Sequence, residues 1–192
     1  MIENRWSKTI FLITGKFKKI STLKSKLKNS LLYKHKVIIL RIQSADVDID
    51  EILHVVRKFC KKNNIPLILN IPDKFKYKAD GYHLQASELN KKLSISTNKI
   101  LGASCHNREE ILLAKELGCN YVFLSPIIKK YDSDPIGWNN FFKLRDEFSE
   151  MAVIPLGGVN EKNAIKSILL GLLLGLLIFP SPDFSKSLLI GT

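Results

Sequence analysis

Short apolar runs alternate with longer segments of helical periodicity along nearly the whole chain, and this alternation restricts the fold more than any other feature. The short runs, rich in β-branched residues, lie at 9–13, 37–41, 66–69, 81–84, 99–103, 121–124, 152–156 and 173–178. Between them, Ile49, Ile52, Leu53, Val56 and Phe59 recur on one helical face, as do Ile111, Leu112, Ala114 and Leu117. Asn107 is placed to cap the second of these helices, with Glu109 and Glu110 in its first turn and Gly118 just past its end. A further helix is expected from Trp138 to Phe148, and another after Asn160. Strands separated by helices require crossover connections, which are right-handed and leave the strands parallel. Eight strands predict a closed (β/α)8 barrel, built as a single domain over residues 1–192. An open doubly wound sheet is the competing topology, but only Thr14-Gly15-Lys16 follows the first strand, far short of a dinucleotide-binding loop.

Length adds a constraint. Such barrels usually run to about 250 residues, with roughly 200 as a lower bound, and this chain has 192. The barrel must therefore be compact. Its third helix, near 73–78, is expected to be little more than a turn, and the 181–192 tail supplies a short eighth helix. The net charge of +12 comes mostly from lysine, much of it within the first 36 residues. No aromatic residues interleave with those lysines as base stacking requires, so a solvated helix face is preferred to a nucleic-acid surface. Leu169 to Phe179 is almost pure leucine, with Gly171 and Gly175 in G-x-x-x-G spacing. That run is shorter than the roughly 20 residues of a membrane span, and a buried helix-to-strand passage is expected instead. Cys60, Cys105 and Cys119 lack metal-type spacing. Reduced thiols in a cytoplasmic protein follow, with no leader in the strand-length run at 10–13.

In a parallel barrel the carboxyl ends of the strands carry the site. Here those ends hold Thr14, Arg41 and Gln43, Asn70, His83 and Gln85, Ser104 and His106, Ser125, and Gly157-Gly158. Two glycines ahead of a helix let backbone N–H groups approach a phosphate, or serve a tight turn at positive φ. Arg41 is the one arginine inside an apolar strand run, either meeting an anionic ligand or lying at the rim. Asn70 either holds ligand through its amide or caps the turn to Pro72. His83 reads first as a hydrogen-bonded core residue. Neighbouring strand residues point to opposite faces, so Cys105 and His106 do not form a nucleophile–base pair. Ligand hydrogen bonds from Ser104 or His106 are expected instead.

Taken together, these segments resemble the thiamine phosphate synthase and thiazole tautomerase superfamily. The match runs from about Thr9 to Phe179, through Ile65-Pro-Leu-Ile-Leu-Asn70, Ala79-Asp-Gly-Tyr-His-Leu84, Leu101-Gly-Ala-Ser-Cys-His106, Gly118-Cys-Asn-Tyr-Val122, Ser125-Pro126 and Ile154-Pro-Leu-Gly-Gly158. Ala103–Asn107 and Pro135–Trp138 are similar to segments of the synthase-like domain found C-terminal to some Nudix hydrolases. The resemblance implies a barrel that joins, or only binds, thiazole phosphate and hydroxymethylpyrimidine diphosphate in thiamine biosynthesis or salvage, with Mg²⁺ if active. By position it implies Arg41, Asn70, Ser104, His106, Ser125, Gly157 and Gly158 as substrate- and phosphate-binding residues. Glu88 falls at a metal-binding aspartate.

This chain departs from the family pattern in several places. Ile39 and Gln43 replace a glutamine and a lysine beside Arg41, and Ile71 replaces the first metal aspartate. Lys129-Lys130-Tyr131-Asp132-Ser133-Asp134 replaces a threonine-rich phosphate loop. The tautomerase's catalytic histidine slot is Ser125-Pro126. Each lost charge-assisted contact removes roughly 1.5–3 kcal/mol of binding. The alternative is therefore a catalytically degenerate phosphate-ligand-binding barrel, working as a partner of a Nudix hydrolase. A phosphorylated small molecule is the expected partner in either case, with neither nucleic acid nor membrane, and a homodimer as one assembly.

Overall fold

The computed structural model of the chain describes residues 6, 9–15, 17, 19–42, 48–91, 98–128, 134–159 and 176–178. Twelve regular elements follow in order: β1 (Ile10–Ile13), α1 (Ile20–Asn29), β2 (Lys36–Arg41), α2 (Ile49–Lys62), β3 (Leu67–Asn70), β4 (Gly81–Leu84), β5 (Ile100–Cys105), α3 (Arg108–Glu116), β6 (Tyr121–Leu124), α4 (Gly137–Glu147), β7 (Ala152–Pro155) and β8 (Leu176–Ile178). Local chemistry explains where the helices start and stop. The Asp48 carboxylate accepts the Glu51 N–H at 2.9 Å to open α2, which runs from acidic Asp50 and Glu51 to basic Lys61 and Lys62. The Asn107 side chain accepts the Glu110 N–H at 2.8 Å to open α3, and Gly118 follows its end at φ +77. Helix α1 has no such cap; Leu23 and Leu27 dock it on the sheet while Lys24 and Lys28 face solvent.

All strand pairs are parallel, in the order β7-β6-β5-β4-β3-β2-β1-β8. Four strands separate β1 from β6, which in a flat sheet would put them about 24 Å apart at about 4.8 Å per strand. Instead the ring of Phe11 on β1 lies 4.4 Å from that of Tyr121 on β6 and packs edge-on to Phe123 at 5.5 Å. The sheet is therefore strongly curled. Alternation along each strand divides the core into two layers. Phe11, Ile13, Val37, Ile39, Ile68, Tyr121, Phe123, Ala152 and Ile154 fill the concave interior, with Trp6 packed at its floor. Leu12, Ile38, Leu40, Leu69, Ala103, Val122 and Val153 face outward against Leu53, Val56, Ile111, Ala114 and Phe141 of the helices.

Of the expected topology, the ring of strands is met in part and the short third connection in full. Among the described residues β7 and β8 are the two ends of the sheet order, so the described structure is a curled half-barrel rather than a closed ring. The connection after β3 holds a 3₁₀ turn at Lys74–Lys76 and no α-helix, because the ten residues from Ile71 to Asp80 are too few for one. The Asn160 cap and its helix, the leucine run up to residue 175 and the 181–192 tail lie outside the described residues. Among the described residues, no helix is long and apolar enough to cross a membrane.

Because the interior depends on ring packing across the curl, Phe11→Ala should lower stability by about 3–5 kcal/mol. Leu32→Ala, at a side chain 64 % exposed, should change it by less than about 0.5 kcal/mol. Chemical denaturation of both variants distinguishes the two sites.

Candidate functional site

The rule that sorts the core also collects the site. Arg41 continues the inward series of Val37 and Ile39, Asn70 that of Ile68, and Ser125 that of Tyr121 and Phe123. Ser104 likewise follows Gly102 on β5, and His83 shares the register row of Gly102. All these positions fall on the concave side at the carboxyl ends of their strands. Side chains that are distant in sequence thus form one mouth.

On one side of the mouth, Arg41 and Asn70 are register partners on β2 and β3, and the Ile42 N–H donates to the Asn70 carbonyl at 3.2 Å. Thr14 fixes this edge. Its buried hydroxyl accepts the Arg41 N–H at 3.0 Å, and the Lys26 ammonium donates to its carbonyl at 2.9 Å. The Arg41 side chain is exposed and lies at the rim, as the alternative reading anticipated. Gln43 lies outside the described residues.

On the other side, His83 is buried and bonded at both ring nitrogens, Nδ1 to the Tyr121 hydroxyl at 3.1 Å and Nε2 to Ser104 Oγ at 2.9 Å. Burial pushes its pKa down to about 3, with the positive charges of Lys74 and Arg41 acting in the same direction. The ring is therefore neutral at ordinary pH. Ser125 follows β6 and lies beside Gly157. Gly157 and Gly158 both adopt positive φ (+78 and +75). Side chains there would press on the loop after β6: a Cβ at Gly157 would lie 2.8 Å from Pro126 Cα, and one at Gly158 2.8 Å from Ile128 Cβ. The Gly157 carbonyl accepts the N–H groups of Ile127 at 3.2 Å and Ile128 at 3.1 Å. The glycine pair therefore serves the tight turn whatever else it does.

Two expected site residues sit elsewhere in the chemistry. His106 lies beyond the end of β5, half-exposed, and its Nδ1 is 3.0 Å from the Glu110 carboxylate, which also accepts the His106 N–H at 2.6 Å. Its ring is held on the first turn of α3 because the cap of that helix draws Glu110 back over it. Glu88 is likewise committed. Its carboxylate oxygens accept from the Lys74 ammonium at 2.6 and 2.7 Å, and one also accepts the Gln85 N–H at 2.7 Å. Ile71, the other position of a metal pair, is apolar and buried. Among the described residues no three His, Cys, Asp or Glu side chains converge. These residues do not fit a divalent cation: the Glu88 carboxylate is already neutralised by a lysine, and among the described residues no second carboxylate joins it.

Lys74 and Tyr121 were not singled out from the sequence. Period-two alternation from Ser125 does place Tyr121 on the inner face, so a signal existed. Lys74 gave none, being one lysine among many. Cys60 and Cys119 are buried thiols pushed up to about 12, and burial raises Cys105 as well, so none is a ready nucleophile. A shallow depression of about 530 Å³ on α2, lined by Asp50, His54, Arg57, Lys58 and Lys61, belongs to the helical shell and not to the mouth.

A family model described as thiamine monophosphate synthase matches residues 10–172. A thiamine-phosphate synthase of Persephonella marina is 28% identical over 116 residues, 57% of this chain and 56% of that one. The chain thus spans little more than half of that relative's length. A thiamine-phosphate synthase of Vibrio campbellii is 27% identical over 163 residues, 80% of either chain. Among solved structures, the thiamine phosphate pyrophosphorylase of Pyrococcus furiosus shares the fold, with a TM-score of 0.70 at 20% identity, covering 95% of this chain and 92% of that one.

Two measurements probe the site's electrostatics. The Lys74 and Glu88 side chains are 4% and 18% exposed, so Lys74→Met strands a largely buried carboxylate and should cost about 3–5 kcal/mol. Lys74→Met combined with Glu88→Leu should recover much of that loss in thermal or chemical unfolding. His83 has a folded pKa below its usual 6.5. Its contribution is therefore unaffected above that pH, and stability is lost as pH falls below it, because only the unfolded chain takes up the proton. His83→Gln should flatten the fall of Tm on acidification below that point. Parallel curves for the two proteins would contradict this assignment.

Proposed function

Since the chain belongs to the thiamine monophosphate synthase family, we propose that its mouth binds the phosphorylated substrates of that reaction, thiazole phosphate and hydroxymethylpyrimidine diphosphate, in thiamine biosynthesis or salvage. The observation that carries this reading is the convergence of Arg41, Asn70, Ser104 and Ser125 on the inner face at the strand ends, with Gly157-Gly158 beside Ser125. In this reading the sheet closes through β8 into a complete (β/α)8 barrel. Arg41 supplies positive charge at one rim, Ser104 and Ser125 supply hydroxyls, and the glycine turn takes the thiazole phosphate.

The second reading, a degenerate phosphate-binding barrel acting beside a Nudix hydrolase, is favoured by one specific observation. Glu88 is bonded to Lys74 rather than open to a metal, and Ile71 offers no carboxylate. Joining the two substrates releases diphosphate, and charge developing on that leaving group needs a cation that this half of the mouth does not hold in place. Ligand binding is therefore retained more fully than turnover.

Purified protein should be stabilised by thiazole phosphate in a thermal-shift assay, equally with Mg²⁺ and with EDTA, and should form thiamine phosphate slowly or not at all. Turnover of both substrates at a rate typical of the family would establish the active enzyme. No shift with either substrate would remove both readings.

A further inference from the structure

Among the described residues, the concave interior is apolar apart from one line of polar groups that climbs from its floor to its mouth. Tyr121 is fully buried, with Phe11 4.4 Å, Phe123 5.2 Å and Trp6 6.2 Å away between ring centroids. Gly102 makes room for it: a Cβ there would fall within the Tyr121 ring. The phenol meets His83 Nδ1, and the other nitrogen of that ring meets Ser104 Oγ. Ser104 is only partly buried.

Distances alone leave the direction of these bonds open, since a hydroxyl can donate or accept. Burial decides it. A phenolic proton among Trp6, Phe11 and Phe123 has no acceptor other than His83 Nδ1 among the described residues, and a buried donor left unmade is expensive. Leaving a second lone pair unused on the same oxygen costs far less. Tyr121 therefore donates to Nδ1. The imidazole is neutral, so it carries its proton on Nε2 and donates it to Ser104 Oγ. A serine oxygen that accepts in this way still has its own proton, which turns to the open mouth. The reverse direction would leave the phenol proton unbonded at the floor.

We propose that Tyr121 and His83 are positioning residues that fix Ser104 as a hydrogen-bond donor, so that this arc of the mouth selects an anionic phosphate oxygen. The proposal rests on the reading that the mouth binds a phosphorylated ligand. Charge agrees with it, because Arg41, exposed at the rim of the same mouth, adds a positive charge that also acts on His83. Donor direction and positive field point to the same kind of ligand atom.

The direction is testable without ligand. In protein labelled with ¹⁵N-histidine, with the His83 resonance assigned by its loss in His83→Gln, Nε2 should carry the proton at neutral pH and Nδ1 should not. The opposite tautomer would overturn the relay. Inorganic diphosphate, titrated by calorimetry, reads the ligand side. Ser104→Ala should weaken binding by about tenfold or more, and Tyr121→Phe by about threefold. The double variant should be no weaker than Ser104→Ala, because the phenol acts only through the serine. Ser104→Thr should restore most of the affinity. Losses that add in the double variant would show that Tyr121 acts by another route and overturn the proposal. Failure of the wild-type protein to bind diphosphate or thiazole phosphate would instead overturn the reading of the mouth, and the ligand assigned to Ser104 with it.

Discussion

The aromatic packing of Phe11 against Tyr121 and Phe123 holds together two strands that the sheet order separates widely. Without that contact the sheet has no reason to curl so far, and its carboxyl ends would not face one another. Curvature brings the strand tips into a single mouth, and alternation then decides which side chains enter it. Arg41, Asn70, Ser104 and Ser125 therefore owe their proximity to hydrophobic residues beneath them rather than to any attraction of their own. The mouth is assembled by the core.

Much of this was legible in the sequence because it follows from period and register. The strands lie within a few residues of the apolar runs, and Asn107, Gly118 and the 108–116 helix behave as their residue types dictate. His83, read first as a hydrogen-bonded core residue, is one, although its partners make it more than that. Gly102 is instructive. In sequence it is a weak residue inside a strand. In the fold it is the gap that admits the Tyr121 ring and so sets the height of the phenol beside His83.

What the sequence hid were pairings between loops. Nothing in the spacing of Lys74 and Glu88 announces an ion pair, because the two meet only when the turns after β3 and β4 lie side by side. The position of His106 was hidden for a related reason. Strand alternation ends with β5 at Cys105, and at His106 the demands of the α3 cap take over. In both cases a side chain assigned to a ligand was already satisfied by a neighbour close in space. Charged groups that find such partners are poor candidates for binding anything else, since a new contact must first break the old one.

The chain's two tryptophans occupy different worlds. Trp6 lies against Phe11 and Tyr121 at the bottom of the interior, while Trp138 packs on Phe141 and Phe142 of α4 on the outer shell. Their indole emission therefore reports on separate regions, one on the dry centre of the sheet and one on the attachment of a single helix. Loosening of α4 would shift the spectrum of Trp138 while Trp6 stayed silent, and the two would change together only when the sheet itself uncurled. The fold thus carries its own optical test of whether shell and centre come apart as one cooperative unit.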